Sequence, residues 1–111
     1  MSFDEQMIKG SVSIMLLSLL EKTDMYGYQM IQELAALSEN VFAFKEGTLY
    51  PVLQKLEKQQ LVESYWENTA KLRKRRYYHI TGAGLAYLQK KRAEWTAFTK
   101  TVNIVLGGKD T

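Results

Sequence analysis

The hydrophobic pattern of this 111-residue chain predicts a mainly α, α+β fold of three short helices, a β-hairpin and one long last helix. Three observations predict it. Apolar residues recur at helical spacing in three separate segments. The period then gives way to two β-branched and aromatic runs flanking a polar, basic stretch. A 3-4 repeat of seam residues then fills the last quarter.

The first segment, about Asp4–Glu21, contains Met7, Ile8, Val12, Ile14, Met15, Leu16, Leu17, Leu19 and Leu20. It is apolar on more than one face, so it reads as a helix packed on two sides, in its own domain and against a partner. Lys22-Thr23-Asp24 makes a polar break. A second helix from about Tyr26 to Leu37 carries Met30, Ile31, Leu34 and Leu37 at helical spacing. Ser38–Glu46 connects it to a third helix, with Leu49, Val52, Leu53 and Leu56 on one face. With Thr48 as N-cap, Pro51 falls at the third helical position, where its missing N–H has no intrahelical partner to lose.

Leu61–Trp66 and Arg75–Ile80 read as the two strands of a hairpin, with Glu67–Lys74 as its long tip. Thr81 is an N-cap for a last helix from Gly82 to about Leu106, which Gly107-Gly108 ends. Leu85, Leu88, Arg92, Trp95, Thr99, Val102 and Leu106 recur at 3-4-3-4-3-4 spacing along it, with Phe98 beside them. At ~1.5 Å per residue this helix is roughly 38 Å long, too long to bury its stripe against its own domain, so a second copy is the expected partner. The order of elements is that of a winged helix-turn-helix domain (residues 1–80, with helix 4–21 also contributing to the dimer) followed by a C-terminal dimerisation helix (residues 81–108).

Composition narrows the function. There is no cysteine and one histidine, which excludes disulfides, zinc–thiolate sites and iron–sulfur clusters and fits a reducing cytoplasm. No apolar run approaches the ~20 residues that span a bilayer. Glu57, Glu63 and Glu67 show no paired acid and base, and the Gly82–Gly84 spacing is not a phosphate loop. His79 reads as a strand residue. No enzyme, metal or cofactor is expected.

The formal charge of +3 is unevenly placed. Residues 1–68 carry five basic and ten acidic side chains, a net of −5, while residues 69–111 carry ten basic and two acidic, a net of +8. Lys71, Arg73, Lys74, Arg75 and Arg76 cluster at the hairpin tip, as phosphate contacts would. The outer face of the third helix offers Thr48, Tyr50, Gln54, Lys55 and Lys58. Gln and Lys there can reach base edges in a major groove. Trp95 reads either as seam packing or as a stacking plate for a flat apolar ligand. Arg92 and Thr99, which pack poorly in a dry seam, favour a pocket, and Met7 and Met15 are flexible enough to line it.

Tyr26-Gly27-Tyr28, Gly47-Thr48-Leu49-Tyr50-Pro51-Val52-Leu53, Leu56-Glu57, Leu61-Val62, Trp66 and Arg75-Arg76-Tyr77-Tyr78-His79-Ile80-Thr81 with Gly84, in that order, resemble the PadR family of transcriptional regulators. The short C-terminal part resembles the small subfamily, some members of which sense multiple drugs. The resemblance implies a dimeric winged-helix repressor on a promoter inverted repeat. Thr48, Tyr50 and Pro51 would lie at the DNA surface, and the wing on the backbone or minor groove. It also implies a pocket for planar aromatic compounds between the last helices and the first, mapped here onto Met7, Ile14, Leu17, Tyr87, Lys91, Trp95 and Thr99. Two positions depart from the family pattern, where Gln60 and Leu72 replace glycines. A repressor with another effector (phenolic-acid or stress response) or none, and a dimeric adaptor that never touches DNA, stay open on the sequence.

Overall fold

A computed structural model describes residues 3–70 and 73–108. α1 spans Glu5–Lys22, β1 Met25–Tyr26, α2 Gly27–Leu37, α3 Glu46–Lys58, β2 Val62–Asn68, β3 Lys74–Ile80 and α4 Gly82–Val105. The strands form one antiparallel sheet in the order β1-β3-β2. Val62 pairs with Ile80 at the base of the β2–β3 wing and Asn68 with Lys74 near its tip. This is the expected winged helix-turn-helix arrangement with a long last helix. Lys71 and Leu72 at the hairpin tip lie outside the described residues.

α1 begins where the Asp4 side chain accepts a hydrogen bond from the Gln6 amide at 2.8 Å. Val12, Leu16, Leu17, Leu19 and Leu20 are all buried. α1 packs against α2, α3, β3 and α4 of its own chain. Its apolar residues therefore face several sides within one chain, while Met7 near its start stays exposed. Around it close Met30 and Leu34 of α2, Leu49, Leu53 and Leu56 of α3, Val62, Tyr78 and Ile80 of the sheet, and Leu88 of α4.

α3 starts earlier than the sequence suggests. Lys45 is its N-cap, and the Lys45 carbonyl accepts from the amides of Thr48 and Leu49. Pro51 is thus the sixth helical residue rather than the third. Its ring removes the hydrogen bond that the Gly47 carbonyl would accept, a loss softened because Gly47 is exposed and water can take that place. At the other end Gln60 has φ 62°, and the amides of Gln60 and Leu61 bond back to the carbonyls of Glu57 and Leu56 at 3.0 Å each. That is a Schellman ending with glutamine in the left-handed seat, and Leu56 and Leu61 are its buried apolar pair.

Thr81 joins α3, the sheet and α4. Its hydroxyl donates to the Gln60 carbonyl at 2.8 Å and accepts from the Gly84 amide at 3.0 Å. A Cβ on Gly84 would strike the Leu61 carbonyl, so glycine lets α4 approach the start of β2. α4 then leaves the domain, and the chain measures 56 Å along its longest axis against 21 Å along its shortest. It ends as expected at Gly107, φ 91°, with the Gly108 amide bonded to the Asn103 carbonyl at 2.7 Å.

Candidate nucleic-acid interface and the exposed last helix

The burial of Leu49, Leu53 and Leu56 fixes the rotation of α3, so Thr48, Tyr50, Pro51, Gln54, Lys55 and Lys58 are exposed on its outer face. Tyr50 is partly turned inward. Its phenol lies on Gly27, where a Cβ would approach the ring within 2.9 Å, so the Gly27–Tyr50 contact sets how closely α2 and α3 meet. Burial pushes the Tyr50 phenol pKa up, with Glu46 adding to the effect.

β3 carries Lys74, Arg75 and Arg76 up the wing beside this face. A hollow of about 430 Å³ is lined by Tyr50 and Gln54 of α3, Tyr26, Gly27 and Tyr28 at the start of α2, and Trp66, Lys74, Arg75, Arg76 and Tyr78 of the wing. The sequence reading joined α3 to the basic wing, and the structure puts Tyr50, Gln54, Lys74, Arg75 and Arg76 around one hollow. It adds Tyr28 and Trp66, exposed by 52% and 63%, which the sequence reading gave no role on this face. The signal for Trp66 was alternation: it pairs with Arg76, which puts it on the sheet face turned to α3. Arg73 is exposed, and its amide bonds to the Thr69 hydroxyl near the tip.

Two of the arginines have partners within the chain. The Arg75 guanidinium stands 4.4 Å from the centre of the Tyr26 ring. Arg76 Nη2 donates to both Glu57 oxygens, at 3.0 and 3.2 Å, and Arg76 Nε donates to Ser64 Oγ at 2.9 Å. Arg76, expected among the phosphate contacts, is thus paired within the chain. On the other sheet face Tyr26 meets the Tyr77 ring edge-on, and Tyr77 stacks on Tyr65. Tyr65 donates to Asp24 at 2.6 Å, and His79 Nδ1 lies 2.8 Å from the other Asp24 oxygen. Burial works to raise the Asp24 pKa, but the hydrogen bonds from Tyr65 and His79 outweigh it and hold the carboxyl below its usual range. The same bond pushes the Tyr65 phenol up to about 12.

Along α4 the expected seam divides. Leu85, Trp95, Phe98, Val102 and Leu106 are exposed. Leu88 is fully buried in its own core, so it has no surface to offer a partner. Arg92 turns to α1, donating to Glu21 at 2.8 and 3.2 Å and to Ser18 at 3.0 Å. That inward pairing explains an arginine in the stripe.

An apolar cavity of about 160 Å³ lies where α4 passes the start of α1, lined by Phe3, Met7, Ile8, Ser11, Phe42 and Trp95. It brings together Met7 and Trp95 of the expected ligand residues. The others stand elsewhere. Leu17 is completely buried in the core and cannot line an accessible pocket. Ile14 borders a separate hollow with Arg92. Lys91 pairs with Glu94 at 2.9 Å and stands over the Tyr87 ring, and Thr99 donates to the Trp95 carbonyl. Phe3 and Phe42 were missed because only tertiary packing brings the connector before α3 to the start of α1.

Among the described residues no cluster of His, Cys, Asp and Glu could hold a metal, and no helix is long and apolar enough to cross a membrane. A winged helix with a basic hairpin beside α3 defines a class of transcriptional regulators. The chain belongs to the Transcriptional regulator PadR-like family, which residues 16–90 match. It is 37% identical over 101 residues to an uncharacterised protein of Lysinibacillus sphaericus, covering 91% of this chain and 93% of that one. Its fold is similar to a transcriptional regulator from Clostridium thermocellum, with TM-score 0.84 and 33% identity over 91% of this chain and 95% of that one. A PadR-like transcriptional regulator from Bacillus cereus matches with TM-score 0.80 and 31% identity over 95% of this chain and 100% of that one.

Proposed function

We propose that the chain is a homodimeric transcriptional repressor that binds an inverted-repeat operator. Residues 1–80 carry DNA recognition and residues 81–108 dimerisation, and the protein works in the cytoplasm beside the DNA. The observation that carries the reading is the shared hollow of α3 and the wing, which Tyr50 and Gln54 line together with Lys74, Arg75 and Arg76. Thr48, Gln54 and Lys55 of α3 read the major groove, while Arg73, Lys74 and Arg75 neutralise flanking phosphates. The exposed stripe Trp95, Phe98, Val102 and Leu106 supplies the seam with a second copy. Fluorescence anisotropy on DNA from upstream of its own gene tests the reading. Replacing Arg73, Lys74 and Arg75 with Ala should weaken binding to all sequences and flatten the salt dependence. A protein that retains no DNA at low salt but stays dimeric would instead be an adaptor.

The cavity at Trp95 favours a second element, release of DNA by a planar aromatic ligand. The cavity is apolar and open beside the seam, and ring stacking on Trp95 suits a flat cation or neutral aromatic. A ligand wedged there changes the angle between the two α4 helices. The separation of the α3 helices, which must match ~34 Å of DNA, changes with it. It shifts DNA affinity only by its differential affinity for the two arrangements. Planar cationic dyes should quench Trp95 in a Trp66→Phe variant. Absence of quenching at tens of micromolar by any aromatic compound would leave Trp95 as packing alone.

A further inference from the structure

We infer that Glu57, Ser64 and Arg76 form a clamp that sets the angle between α3 and the wing, with Arg76 a positioning residue and not a phosphate contact. This rests on the DNA-binding reading above and goes beyond it, because it divides the basic run into groups with different roles.

The three side chains close a ring. Arg76 Nε donates to Ser64 Oγ at 2.9 Å, Ser64 Oγ donates to Glu57 Oε2 at 2.7 Å, and Arg76 Nη2 donates to Glu57 Oε1 and Oε2 at 3.0 and 3.2 Å. Each member comes from a different element: Glu57 from α3, Ser64 from β2 and Arg76 from β3. Every side chain is held at two points, so the ring fixes relative positions better than an isolated pair does. It sits at the boundary of the core. Val62, Tyr78 and Ile80 below it are buried against the helices, while Trp66 above it is exposed. Without the ring, the part of the wing that carries Lys74 and Arg75 would be tied to α3 by no polar bond that runs directly to that helix among the described residues. Gln54, the candidate base reader, lies one turn before Glu57 on α3, and both line a surface hollow with Arg76.

Charge supports the assignment. An arginine that neutralises phosphate gains nothing from a carboxylate on its own guanidinium, since that carboxylate repels the same phosphate. Lys74, by contrast, has no acidic side chain paired to it among the described residues. The basic run is thus divided. Lys74 and Arg75, the latter braced on the Tyr26 ring, meet the polyanion, and Arg76 holds the wing to the helix that reads the bases.

Salt-dependent anisotropy on the wild-type dimer and the variants Arg76→Ala, Arg76→Lys, Glu57→Ala and the double variant decides the matter, with Lys74→Ala as the comparison. Each phosphate contact gives up one counterion and the dimer carries two copies of Lys74, so Lys74→Ala should lower the slope of log K against log salt by about 1.8. Arg76→Ala should weaken specific binding on the order of threefold to tenfold with the slope unchanged. Glu57→Ala should weaken it by a similar factor, and the double variant should be no worse than either single one, since both break the same ring. Arg76→Lys, which keeps the charge but not the fork, should not rescue. If Arg76→Ala lowers the slope as Lys74→Ala does, or if Glu57→Ala tightens binding by removing a repulsive charge, the clamp is overturned and Arg76 is a phosphate contact. Thermal melts of each variant separate loss of fold from loss of positioning. A folded wild-type protein that binds no DNA at low salt removes the DNA-binding reading and this inference with it. Wild-type binding with either overturning result removes the clamp alone.

Discussion

At the scale of single residues, Gln60 carries backbone strain and the Asp24–Tyr65 pair carries a proton-linked contribution to stability. Gln60 occupies the left-handed seat that closes α3, with φ 62°. A residue with a Cβ is disfavoured there by ~1–2 kcal/mol, while glycine loosens the unfolded chain by ~0.4–1 kcal/mol. Gln60→Gly should therefore stabilise the protein by about 0.5–1 kcal/mol, read as a higher urea midpoint at unchanged m-value. The backbone bonds of Gln60 to Glu57 and Thr81 need no side chain and survive the change. The Asp24 cluster acts through protons. Asp24 ionises more readily in the folded chain than at its usual 3.8, so its contribution to stability is complete above that pH and is lost as pH falls through the lower folded value. Tyr65 works the other way. Its folded pKa of about 12 lies above the usual 10.0, so its contribution is complete below pH 10 and is lost as pH rises toward 12. Asp24→Asn should bring the onset of tyrosinate absorbance for Tyr65 back toward pH 10 and remove the acid-side loss. A titration curve for Tyr65 that does not move would show that Asp24 is not its acceptor in solution.

At the scale of elements, the junction of α3, the sheet and α4 depends on Thr81. Its hydroxyl caps α4 through Gly84 and also ties down the Gln60 carbonyl. Thr81→Ala should cost about 1–2 kcal/mol, at the upper end for an N-cap because both bonds go at once. A urea midpoint within error of wild type would show that water replaces the hydroxyl on both sides. Thr81 also illustrates what the sequence made legible. A capping residue, a Gly-Gly stop and a 3-4 repeat are local signals, and α4 lies where they placed it. The hairpin was legible for the same reason, since β-branched and aromatic runs flank a polar tip. Pro51 misled because proline favours the first turn, yet here the exposed Gly47 tolerates it deeper in the helix. β1 has two residues, Met25 and Tyr26, and exists only through pairing with Tyr78 and Tyr77, so no periodicity could announce it. Leu17 and Leu88 looked available for a pocket or seam because a stripe shows which face is apolar, not which chain covers it. The seam itself was read from the same stripe, and Trp95, Phe98 and Val102 on it remain exposed. The Glu57–Arg76 pair, separated by nineteen positions, is invisible to a reading that counts charges in runs.

At the scale of the whole molecule, DNA recognition in the proposed dimer would depend on α4 although α4 is assigned no base contact. Beyond Arg92 the helix leaves the domain, with Phe98 63% and Leu106 77% exposed, an apolar surface that a soluble monomer has no use for. In the proposed dimer a second copy laid along it would place two α3 helices on one face of the duplex. Val102→Glu tests this at the seam without disturbing the fold, since Val102 is exposed within its own chain. Two carboxylates facing each other across a two-fold axis must lose water and repel. The variant should be monomeric by light scattering, with helix content and urea m-value per chain close to those of the wild type. Its DNA binding should change in a way that a folding defect would not imitate. Binding the second half-site is intramolecular for a dimer, at an effective concentration in the millimolar range, so the monomer should bind the full operator ~10²-fold more weakly or worse. Affinity for an isolated half-site should be nearly unchanged. Half as many phosphates are met in each binding event, so the slope of log K against log salt should fall to about half. A monomer that binds the full operator as tightly as the wild type, with the same slope, would mean that each chain reads DNA alone and that the exposed α4 face serves another partner.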